Sequence, residues 1–437
     1  MIMSMVKNKA PLPMSPGRFG FFHSIRRTSD HLASQNNEYF TQKQTLKQKD
    51  LFLIFVSSIF SILLVWLPFF FGFKEGTITL FKNYDGPNYL IIAKSWYDKL
   101  YIAKHFSLPI PLEYYAAHLP GYPLTISFLN IFIPGPWAML LSTLLSTIAA
   151  SLIFYLFLYK FKLSENPLWL TIVFLVFPAR WVAVKAIGSP EPLFIFAILA
   201  SFYFFKSAFD SAENNLISKK KSIILDLFLA GIFGAIAQIT KSPGILLFVG
   251  YEGYLVYRTI KDGKGRLEGK KIIDYLIKPS VPLLLIPFSA LGVFFFYKIR
   301  TGNFLAYFHS GDNFHLVFPP YQGFFPEKTW LGTFWDEDMV WQYLLGALTV
   351  VYLIKQKYDD LASFAGIFFT ATLFVAHRDL ARYSLPLVPF ALIAFDKFIQ
   401  KKEFKIALLI ILPAIYLYTI NFIGGNVAPV ADWTPYL

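Results

Sequence analysis

Cysteine is absent from this 437-residue sequence, and charged residues make up only 15% of it. Without cysteine the chain has no disulfide framework, no thiolate nucleophile and no cysteine-ligated zinc site. The charged fraction is well below the usual value of about one quarter. Hydrophobic residues reach 56%, which excludes an ordinary soluble domain. The composition therefore predicts an all-α, polytopic membrane protein that is integral to the membrane and crosses it several times.

The N-terminal segment from Met1 to Asp50 lacks the apolar stretch of a signal peptide. It is polar, rich in lysine and arginine, and interrupted by proline. These features predict a disordered basic cytoplasmic tail at residues 1–50, followed by a transmembrane domain at residues 51–437.

The net charge of +13 comes from lysine and arginine residues that lie mostly between apolar runs. A membrane protein with positively charged cytoplasmic loops explains this excess of basic residues. Nucleic acid is therefore not an expected partner. The apolar runs predict about eleven transmembrane helices. The predicted spans are Leu51–Phe71, Trp137–Tyr159, Leu168–Val184, Leu193–Phe209, Ile223–Ile239, Ile245–Tyr257, Pro282–Tyr297, Trp341–Ile354, Ala362–Ala376, Leu385–Phe398 and Ile406–Ile423.

The apolar run from Leu124 to Ile133 is too short to cross a bilayer and ends at Pro134-Gly135-Pro136. We interpret it as a re-entrant or interfacial segment. The lysine and arginine clusters then all lie in the cytoplasm with the N-terminus, as the positive-inside rule requires. The polar motifs lie on the extracytoplasmic side, where they include two long loops at residues 72–123 and 300–340.

The first of these loops contains Asp85, followed by Gly86-Pro87 and the apolar stretch Asn88–Ala93. This stretch predicts an amphipathic helix that lies against the membrane surface. Asp85 would then lie at the boundary between water and lipid. The structural alternative is that Asp85 only caps this helix.

One carboxylate near several cations at a membrane surface suits transfer from a lipid-linked phosphate donor. Asp85 can accept the proton of an attacking hydroxyl, which is general-base catalysis. Cationic side chains can bind the leaving phosphate. The candidates for phosphate binding are Lys241, Arg378 and Arg382, and those for supporting roles are Tyr84, His118 and Glu191.

Each candidate also has a structural interpretation. Lys241 could end a helix, Arg378 and Arg382 could anchor to lipid headgroups, Glu191 could stabilise a helix N-terminus, and His118 could be a turn residue. The first loop has no histidine-rich ligand spacing and no Asp-x-Asp pair. No cofactor is therefore required, and a divalent cation is left open.

Four stretches resemble the PIG-V family, the second mannosyltransferase of GPI-anchor synthesis. Residues 83–93, NYDGPNYLIIA, resemble its Trp-Asp-x-x-x-[Phe/Tyr]-x-x-Ile-Ala pattern, with Tyr84 in place of Trp. Residues 118–124, HLPGYPL, resemble its Phe-Phe-Pro-Gly-Phe-Pro-Leu. Pro178-Ala179 with 188–194, GSPEPLF, resembles its Ser-Pro-Ala and Tyr-Ser-Glu-x-Leu-Phe, and 240–244, TKSPG, resembles its Thr/Val-Arg-Ser-Asn-Gly. The resemblance covers most of residues 80–300.

This resemblance implies a GT-C membrane glycosyltransferase that transfers a sugar, with inversion, from a polyprenyl phosphate. It also implies that Asp85 is the base. The expected partners are a polyprenyl-phosphate-linked sugar donor, most simply a mannose donor, a glycolipid or surface-glycan acceptor, and membrane lipid. The membrane would be the plasma membrane of a prokaryote or the endoplasmic reticulum of a eukaryote.

Three other functions stay open from the sequence. A lipid or glycan transporter or flippase is one, although the chain shows no convincing internal repeat. A non-catalytic subunit of a glycan assembly complex is another. The third is a protein O-mannosyltransferase, which would act on peptide hydroxyls.

Overall fold

A computed structural model describes residues 48–83, 85–213, 220–262, 269–311, 316–325, 333–377 and 379–437. These residues are helical, apart from connecting segments and two isolated β-bridges. The predicted N-terminal tail lies outside the described residues except for its last three positions. The helices up to residue 262 are α1 Gln48–Phe70, α2 Thr77–Phe81, α3 Gly86–Ser95, α4 Lys99–His105, α5 Gly121–Leu129, α6 Gly135–Lys160, α7 Pro167–Val176, α8 Ala179–Val184, α9 Glu191–Glu213, α10 Lys220–Thr240 and α11 Ile245–Asp262.

The C-terminal part is also helical. It comprises α12 Gly269–Ile272, a π-helical turn Ile273–Ile277, α13 Lys278–Leu283, α14 Leu285–Thr301, α15 Thr333–Lys355, α16 Asp359–Thr372, α17 Leu380–Tyr383, α18 Val388–Ala394, α19 Asp396–Ile399 and α20 Lys402–Gly425. Short 3₁₀ turns occur at Leu112–Ala117, Ser242–Gly244, Gln322–Phe324, Leu385–Leu387 and Thr434–Tyr436.

Six helical segments of the described residues are long and apolar enough to cross a membrane. The chain is therefore a multi-pass integral membrane protein. The six segments are Gln48–Phe70, Gly135–Lys160, Glu191–Phe209, Ile223–Thr240, Ile273–Thr301 and Lys402–Gly425.

The predicted count of eleven spans is not confirmed. The predicted span Leu168–Val184 divides into α7 and α8, because Pro178 follows the extended residue Phe177. The predicted span Leu385–Phe398 divides into a 3₁₀ turn and two short helices. The remaining three predicted spans form helices, but these are not among the six segments.

The first part of the apolar run Leu124–Ile133 belongs to α5, a helix of 9 residues, and the run leaves the helix after Leu129. At 1.5 Å per residue α5 is about 14 Å long, less than half of a hydrocarbon core of about 30 Å. The prediction that this run does not span is confirmed. The orientation that follows from it remains a prediction.

The helix after Asp85 is present but does not lie on a surface. All residues of α3 from Gly86 to Ala93 are buried, and α3 packs against α5. The prediction of an amphipathic helix that lies against the membrane surface is wrong, because the consecutive apolar residues Tyr89–Ala93 are buried inside the protein.

Helices α9 and α10 form an antiparallel pair that positions two predicted residues. The pair packs closely along its length. Glu191 begins α9, and Lys241 follows the last residue of α10. The start of one helix therefore lies beside the end of the other, which brings these two residues together although they are far apart in sequence.

The C-terminal segment fixes the approach to Asp85. Asn83 is fully buried, and its Nδ2 donates to the carbonyl oxygens of Ile423 and Asn426, each at 2.6 Å. Asn83 also forms an isolated β-bridge with Val427. The chain two residues before Asp85 is thereby attached to the end of α20.

Candidate active site

A cavity of about 600 Å³ lies where these elements meet. It is bordered by the start of α3, the turn at His118, the end of α10, the segment around α17 and the end of α20. Its polar lining includes Asp85, His118, Arg180, Lys241, Tyr307, His377, Asp379 and Arg382.

Asp85 presents its carboxylate to this cavity. It occupies the N-cap position of α3, but its side chain makes no capping hydrogen bond. Instead, Oδ1 lies 3.7 Å from Nε2 of His118, and Oδ2 accepts a hydrogen bond from Nη1 of Arg382 at 3.3 Å. The interpretation of Asp85 as only a helix cap is therefore wrong.

The surroundings of Asp85 keep it ionised. Burial by itself would raise the pKa of this carboxyl group, but the contact with His118 and the positive charge of Arg382 outweigh burial. The pKa is held well below its ordinary value of 3.8. Asp85 is therefore a carboxylate at any physiological pH and can accept a proton.

Glu191 connects two cations beside Asp85. Its side chain is only 2% exposed, and Oε1 accepts hydrogen bonds from Lys241 Nζ at 2.6 Å and from Arg382 Nε at 2.7 Å. The hydroxyl of Ser189 donates to the other carboxylate oxygen. Arg382 thus joins the two carboxylates, and Glu191 holds both cations at the edge of the cavity.

A buried hydrogen-bond network fixes the turn that carries Glu191. The hydroxyl groups of Tyr122 and Thr143 lie 2.6 Å apart, and the backbone N–H of Ser189 donates to the hydroxyl of Tyr122 at 3.1 Å. All three residues are almost fully buried. Because buried polar groups need partners, this network specifies one position for the turn.

The structure brings together five of the predicted residues, namely Asp85, His118, Glu191, Lys241 and Arg382. Their chemical roles remain predictions. Tyr84 and Arg378 lie outside the described residues.

Arg180 and Asp379 form a second ion pair that we did not predict as part of the site. Nη2 of Arg180 lies 2.5 Å from Oδ1 of Asp379, and the two side chains are 9% and 5% exposed. Arg180 falls inside the predicted span Leu168–Val184. A charged residue inside an apolar run usually marks a functional site, and this signal could have identified it.

An apolar groove of about 430 Å³ adjoins the polar cavity. Residues of α8, α15, α18 and α20 line it. Two residues, Arg180 and Phe422, line both the groove and the cavity. A ligand with its polar head in the cavity and its apolar tail in the groove would therefore lie beside these two residues.

The carboxylates of the site are not arranged as a metal centre. Each of Asp85, Glu191 and Asp379 lies against a cationic side chain. Within the part of the chain that the structure describes, no three metal-binding side chains converge.

One protein family matches the chain over residues 96–303, just under half of its length. Its description is dolichyl-phosphate-mannose-protein mannosyltransferase. The matched region contains His118, Arg180, Glu191 and Lys241. No curated protein gives a significant match.

Solved structures with some similarity include the S. cerevisiae protein O-mannosyltransferase Pmt1-Pmt2 complex bound to the sugar donor. That likeness has 14% identity and a TM-score of 0.37, and it covers 65% of this chain and 37% of that chain. The Archaeoglobus fulgidus oligosaccharyltransferase AglB, in complex with an inhibitory peptide and a dolichol-phosphate, has 11% identity and a TM-score of 0.44. It covers 86% of this chain and 57% of that chain.

Both TM-scores are low, and this chain spans less than two thirds of either protein, so neither structure carries a conclusion about activity. The informative comparison is the family match. Over residues 96–303 the chain is similar to dolichyl-phosphate-mannose-protein mannosyltransferases.

Proposed function

We propose that this protein is an inverting GT-C glycosyltransferase that transfers mannose from a polyprenyl-phosphate-linked donor to a hydroxyl group. The observation that carries the proposal is the contact of the Asp85 carboxyl group with Arg382 in a polar cavity that continues into an apolar groove. The family match over residues 96–303 supports the choice of mannose.

In the proposed reaction, Asp85 accepts the proton of the acceptor hydroxyl while the oxygen of that hydroxyl attacks C1 of the mannose. The bond between C1 and the donor phosphate oxygen breaks, and polyprenyl phosphate leaves with the electron pair of that bond. A single displacement at C1 inverts its configuration. Cationic side chains stabilise the negative charge that develops on the phosphate.

Arg382 couples donor binding to the strength of the base. In the structure it donates to both Asp85 and Glu191, and its charge acts with the contact of His118 to lower the pKa of Asp85. A carboxylate with such a low pKa is a weak proton acceptor. An anionic phosphate beside Arg382 would offset that charge, raise the pKa of Asp85 and make it a stronger base.

Lys241 has a different role in this account. It pairs with Glu191 and does not contact Asp85 among the described ion pairs. Its ammonium group can reach a phosphate by rotation of its flexible stem while Glu191 keeps Arg382 in place. Arg378 is a further candidate cation that lies outside the described residues.

The apolar groove fits the tail of the donor. Its lining is dominated by side chains such as Met339, Leu345, Leu387 and Leu392, and it begins where the polar cavity ends. A polyprenyl chain there would avoid water. The sugar would then occupy the cavity that contains Asp85.

The acceptor has two candidate classes. The resemblance of residues 83–93 and 118–124 to PIG-V favours a glycolipid or surface glycan. The family match over residues 96–303 favours a serine or threonine hydroxyl of a protein. Both acceptors supply a hydroxyl group, so Asp85 has the same role in each reaction.

The test is incubation of the purified protein with polyprenyl-phosphate-[¹⁴C]mannose and either extracted membrane lipids or a peptide rich in serine and threonine. Label in the lipid fraction would establish a glycolipid acceptor, and label in the peptide would establish protein mannosylation. Donor binding without transfer to either acceptor would contradict the proposal and favour a transporter.

A further inference from the structure

Arg180 is a buried cation whose hydrogen-bonding capacity is only partly used. Its side chain is 9% exposed, and Nη2 pairs with Asp379 at 2.5 Å. Its guanidinium carbon lies 4.0 Å from the centre of the Phe422 ring. Among the described residues, neither Nε nor Nη1 has a hydrogen-bond acceptor. Both nitrogens have almost no accessible surface, so a ligand that supplies their acceptors has to displace the side chains that cover them. Buried N–H groups without acceptors are costly, and such a ligand would remove that cost.

The position of Arg180 specifies what kind of ligand that is. Arg180 and Phe422 are the two residues that line both the polar cavity and the apolar groove. A ligand that satisfies the free N–H groups therefore has its acceptor oxygens at this junction, with an apolar portion on one side. The planar guanidinium fork matches the geometry of two phosphate oxygens.

The other two lysine and arginine side chains described in the cavity lining, Lys241 and Arg382, are paired with carboxylates. Lys241 and Arg382 both donate to Glu191, and Arg382 also donates to Asp85. Asp379 occupies only one nitrogen of Arg180, where it orients the guanidinium group through a side chain that is itself 5% exposed. Arg180 thus differs from Lys241 and Arg382 in having two buried donors for which the described residues provide no acceptor.

We propose that Arg180, oriented by Asp379, binds the phosphate of an isoprenoid lipid at the junction between the cavity and the groove. The phosphate oxygens accept hydrogen bonds from Nε and Nη1, the isoprenoid tail occupies the groove, and the sugar side of the ligand faces Asp85. This inference rests on the proposed function for the identity of the lipid. It moves the main phosphate contact from Lys241 and Arg382 to Arg180.

Binding can be measured without any sugar transfer. The probes are a polyprenyl phosphate, the polyprenol of the same length and inorganic phosphate. The readout is the rise in melting temperature of the detergent-solubilised protein with ligand concentration, which gives an apparent dissociation constant. The polyprenyl phosphate should bind most tightly, because it alone contacts both Arg180 and the groove.

Two variants separate binding from folding. Arg180→Lys keeps the positive charge beside Asp379 but replaces the planar guanidinium group, with its several N–H donors, by a single ammonium group. The double variant Arg180→Gln/Asp379→Asn removes both charges, so that no unpaired charge is left buried. Loss of two charge-assisted hydrogen bonds should weaken binding of the polyprenyl phosphate about 10- to 100-fold in the double variant, with a smaller loss in Arg180→Lys. Binding of the polyprenol should be unchanged.

The matched control removes a comparable ion pair elsewhere. Lys206 Nζ and Asp360 Oδ2 lie 2.9 Å apart, with side chains 20% and 7% exposed. Lys206 is about 22 Å from Glu191 along α9, at 1.5 Å per residue. The variant Lys206→Gln/Asp360→Asn should bind the polyprenyl phosphate as tightly as the wild type.

Wild-type affinity in the Arg180 double variant would overturn the proposal, and so would equal stabilisation by inorganic phosphate and polyprenyl phosphate. The lipid-phosphate site and the proposed enzyme activity can be tested separately. Loss of binding in the double variant, in a protein that transfers no sugar, would support the lipid-phosphate site and contradict the enzyme. Sugar transfer with unchanged donor KM in both Arg180 variants would support the enzyme and contradict the lipid-phosphate site at Arg180.

Discussion

Arg382 lies between two carboxylates, and its position controls the charge state of the site. It donates to Asp85 and to Glu191, which are separated by more than a hundred residues in the sequence. One cation shared by two acids stabilises the negative charge of carboxylates beside it. The same arrangement makes Asp85 a weak base until another anion approaches Arg382.

Substitution of Arg382 by Gln should therefore change the pH dependence of activity. In the wild type the pKa of Asp85 lies well below 3.8, so Asp85 stays ionised as pH falls and does not itself reduce activity. Without Arg382, only His118 opposes the effect of burial, so this pKa rises. Protonation, and loss of activity, should then occur at a higher pH.

The measurement is kcat/KM against pH for the wild type and Arg382→Gln, because this ratio reports the pKa values of the free enzyme. Lys206→Gln, which removes a distant cation, is the control. The midpoint of the acid limb should move upward only in Arg382→Gln. An unchanged midpoint would mean that Arg382 does not set the pKa of Asp85.

At this scale the sequence predicted the residue types better than their partners. Asp85, Glu191, Lys241 and Arg382 could be selected because polar residues between apolar runs are few. Their pairing could not be predicted, since a bond between residues 85 and 382 depends on the packing of helices far apart in sequence. Arg180 is not among the predicted site residues, because nothing in the sequence around it indicates its pairing with Asp379.

Among the elements, the turn before α5 explains one of the motifs. Gly121 follows His118-Leu119-Pro120 and lies against the end of α10. A Cβ atom at this position would lie 2.6 Å from Oγ1 of Thr240 and 2.8 Å from the carbonyl oxygen of Ile239. Only glycine allows α5 to approach α10 this closely, one residue before Lys241.

Gly121→Ala should therefore lower both stability and activity. Overpacking against backbone typically costs about 1–3 kcal/mol, and separation of α5 from α10 would move His118 and Lys241. Melting temperature and transfer rate should both fall.

Gly292→Ala is the matched control for this change. Among the described residues, and apart from the adjoining backbone of its own helix α14 and its two chain neighbours, no atom lies within 4 Å of a Cβ built at Gly292. Alanine is favoured over glycine in a helix by about 1 kcal/mol. This variant should be at least as stable as the wild type. Equal behaviour of the two variants would contradict the close approach at Gly121.

In the first loop, the local sequence pattern predicted where α3 begins but not that α3 is buried. The start of α3 after Asp85 followed from Gly86-Pro87, because proline is favoured in the first turn of a helix. The burial of α3 did not follow. It depends on α5 and on the attachment of Asn83 to the end of α20, and both contacts join segments distant in the sequence.

Over the whole molecule, the polar cavity and the apolar groove form a site with two distinct environments. The cavity contains paired charges, whereas the groove is lined mainly by apolar side chains. Hydropathy predicted a multi-pass helical protein, but it overestimated the number of long helices. Several apolar runs are short helices broken at proline, and such segments cannot be told from spans by hydropathy alone.

The groove gives a prediction about the length of the donor. Ala391 lies in its lining, so Ala391→Phe should exclude part of a long isoprenoid tail. Each excluded CH₂ group forfeits about 0.8 kcal/mol, so loss of two or three should raise the donor KM at least about tenfold. A donor with a short tail should be much less affected.

Val351→Phe is the control, since Val351 is 57% exposed on α15 and is not part of the groove lining. The measurement is donor KM for long and short isoprenoid chains in the wild type and both variants. An equal effect on both chain lengths in Ala391→Phe would contradict the assignment of the groove to the tail.

The most direct test of the central claim compares Asp85→Asn with Asp98→Asn in mannose transfer from a polyprenyl phosphate donor, at matched folded yield. Asp98 lies in the same loop, and its carboxylate accepts hydrogen bonds from the N–H groups of Leu100 and Tyr101, a capping role that Asn can also fill. Asp85→Asn keeps the size of the side chain and removes the proton acceptor. It should lower the transfer rate about 10²- to 10⁴-fold, while Asp98→Asn stays near the wild type. A wild-type rate in Asp85→Asn would contradict the assignment of Asp85 as the base.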